Sequence, residues 1–65
     1  MTRSQVRTFV EQSSLERIRE VLDRLQSLKL RRKLEVPEAE MAFLLDLRDH
    51  EPFFRTLSDA KLQGA

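Results

Sequence analysis

The single histidine, His50, and its acidic neighbours are the residues best suited to metal binding or proton transfer. Asp46 precedes it by four residues, a spacing that places both side chains on one helical face. Asp49 and Glu51 flank the histidine directly. A catalytic zinc ion normally needs three protein ligands, and a histidine among acidic residues at a helix junction is typical of a solvated turn. We therefore expect neither a metal site nor acid–base catalysis at His50.

The other residues capable of catalysis have simpler structural explanations. Three glutamates cluster where a helix is expected to begin, namely Glu35, Glu38 and Glu40. Negative charges near a helix N-terminus interact favourably with the helix dipole. Ser13 and Ser14 lack the glycines of a nucleophile elbow, and one glycine cannot form a phosphate-binding loop. The chain has no cysteine, which removes thiolate catalysis and cysteine-bound zinc. The sequence predicts a protein that is not an enzyme and needs no cofactor.

A basic segment provides the best alternative chemistry. It groups four cations within five residues, with one arginine before them: Lys29, Arg31, Arg32, Lys33 and Arg24. Such a group can contact phosphates and bind nucleic acid in a salt-dependent way. No aromatic residue lies within the run, and the sequence pI of about 8.3 is below the value of roughly 9 typical of dedicated binders. We therefore favour cations that stabilise a helix C-terminus and pair with the acidic second half of the chain.

The charges are divided unevenly along the chain. Residues 1–34 contain nine basic and four acidic side chains, while residues 35–65 contain three and seven, so that +5 and −4 sum to a net charge of +1. This division favours attraction between the two halves or binding of an anionic partner by the first half.

No segment predicts membrane insertion. No run approaches the roughly 18 apolar residues of a spanning helix, and residues 1–5 lack the apolar core of a signal peptide. The helix expected near residues 14–33 has a mixed polar face and no aromatic anchor for a membrane surface. We expect a cytoplasmic protein without membrane contact.

The elements that position these residues are helices. Apolar residues between Leu15 and Leu28 recur at spacings of three and four, within an arc of roughly 140° at 100° per residue. Ser13 and Glu16 match a capping box that starts this helix. Proline at position 37 and again at position 52 marks the first turn of a new helix.

The sequence thus predicts one all-α domain over residues 1–65, a small bundle or bent hairpin. Its three main helices cover about 14–32, 37–49 and 52–63, with a shorter helix at about 4–13. The helix at 37–49 is apolar on nearly every side, which indicates neighbours on more than one side. We expect it to form the centre of the core and of a self-association interface.

Self-association is expected because a chain of this length buries only about 60% of its unfolded surface and has no disulfide. The predicted protein-interface residues are the apolar side chains in excess of one protomer's core: Leu30, Leu34, Met41, Phe43, Leu44, Leu47, Val6, Phe9 and Val10. The expected function is that of a small adaptor or regulator, which binds a protein through a helix face and forms a homodimer. The alternative is a nucleic-acid-binding regulator that uses the basic segment. No motif in the chain is specific to one protein family.

Overall fold

The computed structural model describes residues 1–64, and these form four α-helices without a strand. In chain order they are α1 (Arg3–Gln12), α2 (Leu15–Lys29), α3 (Glu38–Arg48) and α4 (Glu51–Gln63). The all-α prediction is confirmed. Ala65, the last residue of the predicted domain, lies outside the described residues.

The start of α2 differs from the predicted capping. Ser14, not Ser13, caps α2, because the Ser14 hydroxyl accepts the backbone N–H of Arg17 at 3.1 Å. The Ser13 hydroxyl instead donates to the Phe9 carbonyl of α1 at 2.5 Å. The predicted Ser13–Glu16 capping box is therefore wrong. A capping box is found at α1, where the side chains of Thr2 and Gln5 each accept the other's backbone N–H.

The end of α2 comes three residues earlier than predicted. Leu30 caps the helix, and the next two backbone N–H groups turn back to its last carbonyls. Arg31 donates to the Leu28 carbonyl at 3.1 Å and Arg32 to the Ser27 carbonyl at 2.9 Å. This is a Schellman motif, which usually places glycine at the left-handed position. Here Arg31 occupies that position with a φ of 57°.

The core draws on all four helices, and α4 lies at its centre. Helix α4 packs against each of the other three helices, most extensively against α1. The fully enclosed apolar side chains form one cluster: Val6, Val10, Ile18, Val21, Leu25, Leu44, Leu47 and Phe54. Helix α3 was expected at the centre of the core, but it packs mainly against α2 and α4, whereas α4 packs against all three other helices. Helix α1 is an integral layer of the bundle.

Lys61 of α4 joins the two ends of the sequence. Its ammonium donates to the carbonyls of Val10, Glu11 and Ser13 at 2.7, 3.0 and 2.6 Å. The last carbonyls of a helix have no hydrogen-bond partner within that helix, and a cation near them also interacts favourably with the helix dipole. Lys61 therefore caps the C-terminus of α1, although it lies about fifty positions further along the chain.

Candidate interaction surfaces

The outward face of α3 carries apolar side chains that take no part in the core. Met41 and Leu45 lie four residues apart on one face of the helix, and neither packs on the buried cluster. Leu45 is 42% exposed, although it belongs to the helix that is predicted to form the centre of the core. Ala42 lies exposed beside them and its small side chain permits close approach of a second helix. This face of α3 therefore leaves apolar surface outside the core.

Charged residues of opposite sign lie at the two ends of this face. Glu38 begins α3 and Arg48 ends it. At about 100° per residue, these two side chains lie with Met41 and Leu45 within an arc of about 80°. Among residues 1–64, neither Glu38 nor Arg48 has an ion-pair partner. We call the four residues together the α3 stripe.

The predicted interface residues divide into three groups in the structure. Four are enclosed in the protomer's own core, where they are not accessible to a partner: Val6, Val10, Leu44 and Leu47. Three are half-buried and pack against that core: Phe9, Leu34 and Phe43. The rings of Phe9 and Phe43 are 4.9 Å apart between centroids, so each covers the other. Leu30, which is 48% exposed, and Met41 remain outside the core.

The basic segment is partly neutralised within the chain. Arg24 forms ion pairs with Glu40 and with Glu20, the latter at 3.0 Å. Lys33 lies 3.2 Å from Glu35. Within the basic segment, Lys29, Arg31 and Arg32 have no ion-pair partner among residues 1–64. Two of the five predicted phosphate contacts are thus engaged by carboxylates of the same chain.

Glu40 is the centre of a bridge between α2 and α3. Its two carboxylate oxygens accept the Arg17 guanidinium at 2.8 Å each, and Arg24 donates to one of them. The Glu40 side chain is only 14% exposed. The hydrogen bonds from Arg17 hold the pKa of Glu40 below its ordinary value, against the opposing effect of burial, and Arg24 lowers the pKa further. Glu40 had been explained from sequence by the helix dipole alone, because its partners lie far away along the chain.

An arginine pair on α1 is a further cluster that the sequence pattern did not indicate. The guanidinium carbon of Arg3 lies 4.1 Å from the ring centroid of Phe53, and that of Arg7 lies 5.9 Å away. The spacing of Arg3 and Arg7 places them on one helical face, but the aromatic ring comes from α4. Cation–π attraction therefore helps to join α1 to α4.

His50 lies at the junction of α3 and α4, and its backbone groups form hydrogen bonds with both helices. The backbone N–H of His50 donates to the Leu47 carbonyl at 2.9 Å, and the His50 carbonyl accepts the backbone N–H of Phe54 at 2.8 Å. Within residues 1–64, no three acidic or histidine side chains are grouped so that they could hold a metal ion. In the same part of the chain, none of the helices has the length and apolar character required to cross a bilayer.

Comparisons of the chain with protein-family models, with curated proteins and with solved structures find no match. Functional inference therefore depends on the surfaces described above.

Proposed function

We propose that this protein is a non-catalytic adaptor or regulator that acts through helix-mediated protein binding and forms a homodimer through the α3 stripe. The observation that carries the proposal is the position of Met41 and Leu45 outside the core of their own chain. Leu45 is exposed and Met41 is half-buried, and apolar surface rimmed by charges is typical of protein-binding surfaces.

A second copy is the partner that matches the order of residues along the stripe. In an antiparallel arrangement about a two-fold axis, each position faces its counterpart counted from the opposite end. Met41 then faces the partner's Leu45, and Glu38 faces the partner's Arg48. The apolar side chains meet at the centre and opposite charges meet at both ends. A parallel arrangement would place like charges together instead.

The dimer is expected to be weak. A standard interface buries about 800 Å² on each partner, roughly a sixth of this protomer's surface of 4623 Å². Helix α3 has 11 residues and is about 16 Å long, so the stripe alone covers less than this area. We expect a dissociation constant of roughly 10–100 µM.

Sedimentation equilibrium over a concentration series up to about 500 µM tests the dimer directly. Leu45→Ser should shift the equilibrium to monomer, whereas Leu30→Ser, at a similarly exposed residue outside α3, should leave it unchanged. A wild-type chain that stays monomeric throughout, or equal effects of the two variants, would refute the α3 interface.

Charge exchange tests the antiparallel geometry. Glu38→Arg alone and Arg48→Glu alone should each weaken the dimer, because each creates two like-charge contacts. The two substitutions combined should restore it. Glu16→Arg makes the same change of charge at an exposed residue of α2 and serves as the control. Failure of the combined variant to recover would exclude this pairing.

A further inference from the structure

A cleft at the C-terminal end of α2 brings together cations from two parts of the chain. It has a volume of about 350 Å³ and is lined by Leu25, Leu28, Lys29, Arg31, Arg48 and Glu51. The two leucines belong to the core or pack against it, so they provide an apolar floor. Three of the remaining four side chains are positively charged.

The carboxylate in this cleft already has a partner. Glu51 forms an ion pair with Arg55 of α4, with 2.9 Å between the guanidinium Nε and the carboxylate. In contrast, Lys29, Arg31 and Arg48 have no ion-pair partner among residues 1–64. The cleft therefore presents an excess of positive charge above an apolar floor.

The backbone conformation of Arg31 is unfavourable for its residue type. A left-handed conformation costs a residue with a side chain roughly 1–2 kcal/mol, and glycine is the residue that relieves this cost at the end of a helix. The Schellman motif gives no reason for arginine at this position. The Arg31 side chain lines the cleft together with Lys29, and this position in the cleft gives a reason for arginine at a left-handed residue.

We propose that this cleft binds an acidic peptide segment of a partner protein, with one apolar side chain on the leucine floor and carboxylates against Lys29, Arg31 and Arg48. The apolar floor favours a peptide over a phosphate backbone, and no aromatic ring lines the cleft to stack a base. The inference rests on the proposed protein-binding function and adds the chemistry of a partner. Only Arg48 belongs to both this cleft and the α3 stripe.

Fluorescence anisotropy with a labelled synthetic peptide tests the proposal. The probe carries one leucine between two pairs of glutamates, and two comparison peptides replace either the leucine by serine or the glutamates by glutamine. The probe should bind at an ionic strength of about 20 mM and more weakly at about 150 mM. Each comparison peptide should bind about tenfold more weakly than the probe. No detectable binding of the probe at the lower ionic strength would overturn the proposal.

Two adjacent arginines provide a matched pair of variants. Arg31→Gln should weaken probe binding by about tenfold, and Arg32→Gln, with the same loss of charge outside the cleft lining, by at most about twofold. Equal losses would show general attraction to the basic segment and refute a cleft site. A labelled oligothymidine that binds more tightly than the peptide would refute it in favour of nucleic acid.

Arg31→Gly separates binding from folding. It should raise the free energy of unfolding, because it relieves the left-handed backbone, and yet it should weaken probe binding as Arg31→Gln does. A gain in stability with unchanged probe binding would overturn the role given to the side chain. Sedimentation of the same variant reports on the α3 dimer, so failure of the cleft and failure of the dimer are distinguishable.

Discussion

Replacing Lys61 by methionine is the sharpest test of how the first and last helices are joined. Methionine keeps much of the aliphatic stem and removes the ammonium that donates to three carbonyls at 2.6 to 3.0 Å. A hydrogen bond from a charged donor contributes about 1.5–3 kcal/mol. Lys61 is only half-buried, and water can replace part of the lost bonding. We therefore expect a total loss of about 2 kcal/mol.

This loss is large for so small a domain. At roughly 0.05–0.15 kcal/mol per residue, a chain of this size has a total stability of about 3–10 kcal/mol. A loss of about 2 kcal/mol should lower Tm by roughly 8–16 °C. Urea unfolding followed by circular dichroism at 222 nm gives the free energy, since the chain is helical throughout residues 3–12, 15–29, 38–48 and 51–63.

Lys29→Met is the matched control for Lys61→Met. Lys29 also lies in the last turn of a helix, but it is exposed and donates no side-chain hydrogen bond within residues 1–64. Its replacement should cost at most about 0.5 kcal/mol. If Lys61→Met lowered the free energy of unfolding no more than this control does, with an unchanged slope against urea concentration, the capping of α1 by Lys61 would be refuted.

The remaining predictions concern the pH dependence of folding and a buried hydroxyl. Because the pKa of Glu40 is lowered in the folded chain, its contribution to stability is complete above its ordinary value of 4.5 and is lost as the pH falls through the lowered pKa. Glu40→Gln should lower the free energy of unfolding by about 1–2 kcal/mol at neutral pH. In a series of Tm measurements against pH, the variant should lose less stability than the wild type below pH 4.5. An equal fall of Tm at acid pH in both proteins would contradict the bridge. Ser58 is fully buried and its hydroxyl has no hydrogen-bond partner among residues 1–64, so Ser58→Ala should stabilise the fold by about 0.5–1 kcal/mol. Chemical denaturation measures this gain, and destabilisation would show that the hydroxyl is satisfied in solution.

The helical elements could be predicted well from local signals. Each of the four segments was recognised, and most ends fell within one residue of those observed, because prolines, serines and apolar periodicity act over a few positions. The end of α2 was placed too late, since no glycine marks its left-handed turn. The wrong capping box at Ser13 arose because only Ser13 has a glutamate three positions later, whereas the backbone geometry makes Ser14 the cap of α2.

The candidate surfaces were harder to predict, since burial depends on neighbours that are distant in sequence. Val6 and Val10 looked like surplus apolar surface, yet both are enclosed in the core, and their helix packs most extensively against α4. Leu45 belongs to the helix that was expected at the centre of the core, yet it is 42% exposed. A periodic pattern shows that a helix has an apolar face, but it does not show whether the same chain supplies the cover.

What the sequence by itself determined is the helical class, the approximate helix bounds and the opposed charges of the two halves, because each depends on composition or on residues a few positions apart. Only the tertiary structure decided which partners those charges meet. Glu40 pairs with Arg17 and Arg24 of α2. In contrast, Lys29, Arg31 and Arg48 line one cleft, and none of the three has an ion-pair partner among residues 1–64. Such pairings arise when helices separated by loops pack against each other, and their relative orientation is set by the shared core around α4.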